Sequence, residues 1–272
     1  MYLWRRIATR RWWNAKENEI FSILERRLAV IEQPNRKGLL IEAACKSRKE
    51  AGQLVKRFRG RVGKLPRDLL TRFLRETKAR PLKVGKRLAI VRSRTGREAN
   101  SFPYRLIIPG GMAFGTGEHV TTAMSLRMLE GLTRKWKPCW SLVDLGTGSG
   151  ILALAAKRFG ARRVVAIDLD PIAISTAKKN ARINRIGGVQ FRVGDAGDWK
   201  SRSKIDIACA NLFSGLLIAI LPKLKRIDRL ILSGILREQE HEVTRALRGN
   251  QFDVAQIRRR GKWIVILAQK RV

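Results

Sequence analysis

Acidic residues are scarce in this chain: 22 Asp and Glu stand against 58 Lys and Arg, a formal net charge of +36 over 272 residues. Histidine is scarcer still, with only His119 and His241. That count excludes a His-rich metal site, and a Ser-His-Asp triad would have to be built on one of those two. The 3 cysteines, Cys45, Cys139 and Cys209, lie far apart and form no C-x-x-C or Cys/His cluster, which argues against a structural metal and against a disulfide framework. No run of ~18 apolar residues occurs, so no membrane span is expected. The opening MYLWRRIATRRWW lacks the apolar core of a signal peptide. The expectation is a reduced, cytoplasmic protein that uses neither metal nor membrane.

Positive charge and apolar residues are what the chain has in abundance. A hydrophobic content of 44% supplies a core for one large domain or two smaller ones. The basic excess is densest at the front, where residues 1–100 carry 28 Lys and Arg against 9 Asp and Glu. Such a field favours polyanionic surroundings, most simply RNA. A surface selected for basicity without any nucleic-acid role fits the same charge.

Periodicity over the first residues predicts a small α+β unit over 1–92. It has a strand near Leu3 to Trp12, a helix near Glu17 to Arg27, and strands at Leu28 to Glu32 and Gly38 to Ala43. A helix at Arg48 to Arg59 and a last strand at Arg87 to Arg92 complete it. The QPNRKG stretch between the middle strands has hairpin-turn chemistry, and the order fits a ferredoxin-like sandwich. RSRTGREANSF is polar and unpatterned, so 93–109 reads as a linker. From 110 to 272, the apolar runs LVDLG, VVAID, VQFRV, IDIACANL and RLILSGI alternate with helical segments, which implies a parallel sheet with crossover helices. FDVAQIRRRGKWIVILAQK closes the chain as an antiparallel hairpin.

The chemistry concentrates in LVDLGTGSGILALAA, residues 142–156. A dinucleotide turn is G-x-G-x-x-G, but here the third glycine falls one residue early and Ile151 takes its place. A P-loop is excluded because no Lys-Ser or Lys-Thr follows. What remains is D-x-G-x-G-x-G, with Asp144 ending a strand and Gly146 and Gly148 letting backbone approach a small ligand. The next strand delivers Asp168, whose carboxylate can accept both hydroxyls of a ribose, and Asp170 with Pro171 starts a helix. The third strand ends at Asp195, placed for an adenine amino group. The alternative is that these acids only cap helices and turns.

This ordered set resembles the S-adenosylmethionine-dependent methyltransferases with a seven-stranded Rossmann-like sheet. Within them, GMAFGTGEHVTTAMSLRMLE, residues 111–130, resembles the A-F-G-T-G-x-H-x-T-T segment of the bacterial ribosomal protein L11 methyltransferase family. IDLDPIAISTAKKNARIN, ANLFSGLL and LSGIL agree with it. The resemblance implies S-adenosylmethionine as cofactor and methyl transfer to lysine ε-amino or α-amino groups of that ribosomal protein. Phe114, Gly115, Thr116, Thr122, Asp144, Gly146, Gly148, Asp168, Asp195 and Asn211 would then hold the cofactor. Asn211, Leu212 and His119 would form the catalytic set, and the loop from Phe114 to His119 would cover the site. An Asn amide oxygen beside a backbone carbonyl suits an amine whose lone pair must be aimed. Val120, Glu118 and Phe213 depart from the family's usual residues.

Two other readings stay open. Trp4, Trp12 and Trp13 among cations suit an RNA-directed methyltransferase or a ribosomal RNA contact. A non-catalytic ribosome-binding factor with a relict site is the other.

Overall fold

The computed structural model describes residues 2–24, 28–32, 38–45, 47–64, 81–92, 101–109, 119–200 and 203–271. Its contacts divide the chain into two compact units, Met1–Glu76 and Thr77–Val272.

The first unit runs β1 (Tyr2–Ala8), α1 (Arg10–Leu24), β2 (Leu28–Glu32), β3 (Leu39–Cys45), α2 (Arg48–Phe58) and β4 (Arg61–Lys64). The strands form an antiparallel sheet in the order β2-β3-β1-β4, the ferredoxin-like arrangement expected. β3 alternates buried and half-buried residues along its length, as a strand with one face on a core must. Ser47 caps α2 by accepting from the Glu50 amide, and Lys56 and Arg57 fill its last turn. Trp4, Trp13, Ile20, Leu24, Ile41 and Phe58 make the core.

Two boundaries differ from the sequence reading. The first strand stops at Ala8, because the Thr9 hydroxyl accepts from the Trp12 amide at 3.2 Å and starts α1 seven residues earlier than expected. The fourth strand is Arg61–Lys64, four exposed residues with no apolar alternation to betray them. The QPNR and K of the hairpin turn, residues 33–37, lie outside the described residues.

Residues 82–107 belong to the second unit, correcting both the expected end of the front unit at 92 and the linker. β5 (Leu82–Val84) and β6 (Leu88–Val91) form a hairpin, and β7 (Tyr104–Ile107) pairs parallel to β6. Residues 93–100 lie outside the described residues, but Leu106 and Ile108 are fully buried, which a linker would not be.

The seven-stranded sheet has the order β10-β9-β8-β11-β12-β14-β13. Its strands are β8 (Ser141–Leu145), β9 (Arg163–Asp168), β10 (Val189–Val193), β11 (Ile205–Asn211), β12 (Ile227–Leu236), β13 (Phe252–Arg260) and β14 (Trp263–Lys270). β8 to β12 run parallel, and β14 is antiparallel to both its neighbours. α3 (Val120–Thr133), α4 (Ile151–Arg158) and α5 (Pro171–Ile183) share one core with one face of the sheet. α6 (Ser214–Ile220) and α7 (Glu240–Gly249) share the other. Strand order reverses between β8 and β11, and in such sheets the crevice outside the carboxyl ends of those strands is where ligands bind. No helix among the described residues is long and apolar enough to cross a membrane.

Candidate active site

The glycine turn begins where β8 ends. Gly146 adopts a φ of +73°, and a Cβ there would lie 2.5 Å from Leu212 Cδ2, so the turn closes on the end of β11 only because the residue is glycine. The turn's amides are spent internally. Gly146 and Thr147 both donate to the Ile167 carbonyl at 2.9 Å, Gly148 donates to Asp168 Oδ2 at 2.8 Å, and Gly150 to the Thr147 carbonyl.

Asp144 completes this closure. It is 1% exposed; its Oδ2 accepts from the Thr147 hydroxyl at 2.6 Å and from the Ala153 amide at 3.2 Å. The carboxylate therefore occupies the N-terminus of α4, the place where a phosphate would bind in a dinucleotide or P-loop site. The bonded oxygen Oδ2 thus faces the interior of the turn. Burial, with Asp168 nearby, pushes its pKa up to about 7 against the pull of those two bonds, and its buried Oδ1 has no partner.

Asp168 stands at the end of β9, half-buried. Its Oδ1 accepts from the Asp170 amide at 2.9 Å and its Oδ2 from Gly148. Each carboxylate oxygen has a second lone pair for a ligand hydroxyl. Asp170 caps α5 through the Ile172 amide, with Pro171 in the first turn, as the sequence indicated. Asp195, at the end of β10, is exposed and accepts from the Gly197 amide at 2.6 Å.

Asn211 ends β11 within a polar cluster that the sequence did not reveal. Its amide nitrogen donates to Thr122 Oγ1 at 3.4 Å, and its oxygen accepts from Ser233 Oγ at 2.8 Å. Behind Ser233 lies Ser125 Oγ at 2.9 Å. Thr122, Ser125 and Ser233 are all buried, so the amide is held from both ends. Leu212 follows, its amide donating to the Ser233 carbonyl at 3.1 Å. Gly234 has a φ of +85°, and a Cβ there would meet the Leu212 carbonyl oxygen at 2.3 Å. The only hint of Ser233 and Gly234 in the sequence was the LSGIL match.

His119 caps α3. Its Nδ1 accepts from the Thr121 amide and lies 2.7 Å from the Thr121 hydroxyl, while its ring packs edge-on against Trp263 at 5.2 Å. Burial and then Lys262 hold its pKa below the usual value. A neutral ring with its Nδ1 in a cap is positioned to shape the entrance of α3. Phe114, Gly115 and Thr116 lie outside the described residues.

An apolar rim was also missed. Leu169, Ile172, Val193 and the 69% exposed Phe213 are exposed large hydrophobics, and all follow or end β9, β10 or β11 around the crevice. No local pattern distinguishes them from core residues. Among the described residues, no group of three His, Cys, Asp or Glu could hold a metal.

The ribosomal protein L11 methyltransferase family matches this chain over residues 75–271. A ribosomal protein L11 methyltransferase of Symbiobacterium thermophilum is 39% identical over 198 residues, covering 70% of this chain and 62% of that protein. One from Caldicellulosiruptor bescii is 32% identical, covering 71% of this chain and 63% of that protein. The chain thus spans less than two thirds of the length of these curated relatives. The crystal structure of a ribosomal protein L11 methylase from Lactobacillus delbrueckii subsp. bulgaricus superposes with a TM-score of 0.63 at 28% identity, over 71% of this chain and 99% of that one. The match takes in the glycine turn, Asp168 and the Asn211 cluster together, and this chain belongs to the ribosomal protein L11 methyltransferase family.

Proposed function

We propose that the chain transfers a methyl group from S-adenosylmethionine to lysine ε-amino or α-amino groups of a ribosomal protein of the L11 type, in the cytoplasm where that substrate is made. The observation that carries this reading is the pairing of two arrangements across the switch point of the sheet. One is a glycine turn with its amides consumed and two acids at its edge. The other is an Asn amide clamped by Thr122 and Ser233 on the adjacent strand.

The turn suits this cofactor for a physical reason. It presents Asp144 and Asp168 where phosphate cradles present free amides, so it rejects a pyrophosphate and favours a nucleoside with positive charge. Asp168 would hold ribose hydroxyls, Asp195 the adenine edge, and the Leu169, Ile172 and Val193 rim the flat ring. When bound, the cofactor supplies an electrophilic methyl on a sulfonium centre.

The protein's task is alignment. Asn211, fixed at both ends, directs an amine with its backbone neighbour Leu212, and a 1 Å error in such a position costs about 100-fold in rate. A lysine amine, with an ordinary pKa of ~10.4, must arrive unprotonated. Desolvation by the Phe213 rim lowers that value. His119 is engaged as a helix cap, so no general base is assigned to it.

The front unit is assigned to substrate holding. One face of its sheet is open, with Arg5, Ile7, Leu40 and Arg61 around a groove of about 740 Å³. The RNA-methylating alternative loses its aromatic motivation. Trp4 and Trp13 are core residues, and Trp12 packs against Phe58 with the Arg6 guanidinium 3.8 Å over its ring. The test is transfer of tritiated methyl groups to free ribosomal protein L11 and, in parallel, to naked ribosomal RNA. Protease-sensitive label supports the proposal, label that survives protease overturns it, and cofactor binding without transfer to either substrate favours the non-catalytic factor.

A further inference from the structure

Arginines crowd one side of the active-site edge with no acid among them in the described residues. Asn211 lies opposite Ser233, Ser233 opposite Val265, and Val265 opposite Arg258. Arg258 therefore sits in the same row of the sheet as Asn211, three strand spacings or about 14 Å away. Directly paired residues point to one face, and this face is the one α3 covers, since Thr122 of α3 meets Asn211 there. Arg260, two residues on, shares that face; Arg259, between them, turns to the other and pairs with Glu240 of α7.

Arg127 reaches the same place from α3. It is half-buried and donates to the Lys83 carbonyl at 3.2 Å. Burial, then Arg260 and Arg258, hold its pKa below the usual arginine value, which marks the three guanidinium groups as electrostatic neighbours. Arg258 and Arg260 are exposed, and among the described residues neither has a carboxylate partner. Like charges gathered this way repel, and the cost is offset when an anion with several oxygens joins them. Two guanidinium forks at alternate strand positions, about 6.7 Å apart along the strand, suit a ligand with regularly repeated negative charge. The neighbouring Trp263 ring is packed against His119, so its role is not base stacking.

We propose that Arg127, Arg258 and Arg260 form a shelf that grips the phosphate backbone of RNA beside the methyl-transfer centre. Calling that RNA ribosomal rests on the proposed function; the shelf's chemistry does not. Backbone contacts carry no sequence information, so the shelf orients the particle that presents the protein substrate without selecting a sequence.

The test is fluorescence anisotropy of a labelled single-stranded RNA oligonucleotide titrated with the full chain between about 50 and 200 mM salt. The Arg258→Gln/Arg260→Gln double variant is compared with a charge-matched control, Lys178→Gln/Lys179→Gln, on the exposed side of α5. The first should bind at least tenfold more weakly at low salt and lose about 1.4 from the slope of log affinity against log salt, two phosphates at ~0.7 each. The control should change little, and the double variant should methylate free ribosomal protein at the wild-type rate. Unchanged RNA binding in the double variant, or equal losses in both variants, overturns the shelf. Tight binding of polyglutamate that depends on these arginines, with no such dependence for RNA, assigns the surface to an acidic protein and also overturns it. RNA binding as expected, with no methyl transfer by the wild type, sinks the catalytic reading and leaves the shelf standing.

Discussion

Ser233 donates its hydroxyl proton to the Asn211 side-chain oxygen at 2.8 Å, from a position with no solvent exposure. The two residues belong to paired positions on β11 and β12, so the sheet register itself sets the orientation of the amide. Ser233→Ala removes the donor and adds no bulk. Losing such a bond costs about 1.4 kcal/mol of alignment, or about tenfold in kcat, while affinity for S-adenosylmethionine should stay within about threefold, because the Ser233 hydroxyl bonds Asn211 and Ser125 and not the glycine turn. Steady-state methyl transfer and calorimetric titration together check this. Parallel loss of both would make Ser233 a folding residue.

Asn211→Ala should be more severe. With the amide gone, the amine loses its aim, and turnover should drop by about 100-fold with a much smaller change in cofactor affinity. Turnover like that of the wild type would remove Asn211 from the mechanism.

Asp144 makes stability depend on pH in an unusual direction. Its pKa is about 7 in the folded chain and about 3.9 when unfolded. Below pH ~4 the group is protonated in both states and costs nothing. As pH rises from there towards the folded value of about 7, the unfolded chain ionises freely while the buried site stays protonated, and stability falls by an amount on the order of 4 kcal/mol before levelling off. Asp144→Asn keeps an acceptor for Thr147 and Ala153. Its urea midpoint should therefore exceed the wild-type midpoint at pH 8 and converge with it near pH 4. Parallel curves for the two proteins would contradict this.

Glu130 on α3 works the other way. It is 1% exposed and bonds Arg134 at 2.7 Å and Arg87 at 3.2 Å. Burial alone would raise its pKa, but the bonds from Arg134 and Arg87 prevail and hold it below the usual range. The stabilisation it provides is present at neutral pH and is lost as pH falls through that lowered value. Glu130→Gln leaves Arg87 without its charge partner and should cost about 3–5 kcal/mol at pH 7, with the gap closing in acid. Urea unfolding at pH 7 and pH 3 measures both.

Gly234→Ala tests the backbone fit around Leu212. A methyl group 2.3 Å from the Leu212 carbonyl oxygen forces β12 and the Asn211–Leu212 segment apart, on top of the strain at positive φ. A loss of about 1–3 kcal/mol should accompany a loss of turnover. A fully active, fully stable variant would show that the close approach is dispensable.

Much of the second unit was legible because its signals are local. LVDLG, VVAID and VQFRV are short apolar runs that end in or are followed by an acid or glycine, and they became β8, β9 and β10 where expected. Asp170 and Pro171 announced the start of α5. β7 is four residues directly after a polar stretch, and RVGK at β4 has no alternation; an edge strand takes its place from a neighbour's free hydrogen-bonding groups and not from its own side chains.

By itself, the sequence determined the glycine turn, the order of the strands and the acids at their ends, since each depends on residues within a few positions of one another. Only the tertiary structure decided that Asp144 turns inward, that Ser125 and Ser233 stand behind Asn211, and that Arg258 and Arg260 share a face with Arg127 while Arg259 does not. Those outcomes depend on sheet register and helix placement. They bring together residues more than a hundred positions apart, such as Ser125 and Ser233, 108 apart, and no local spacing encodes such a meeting.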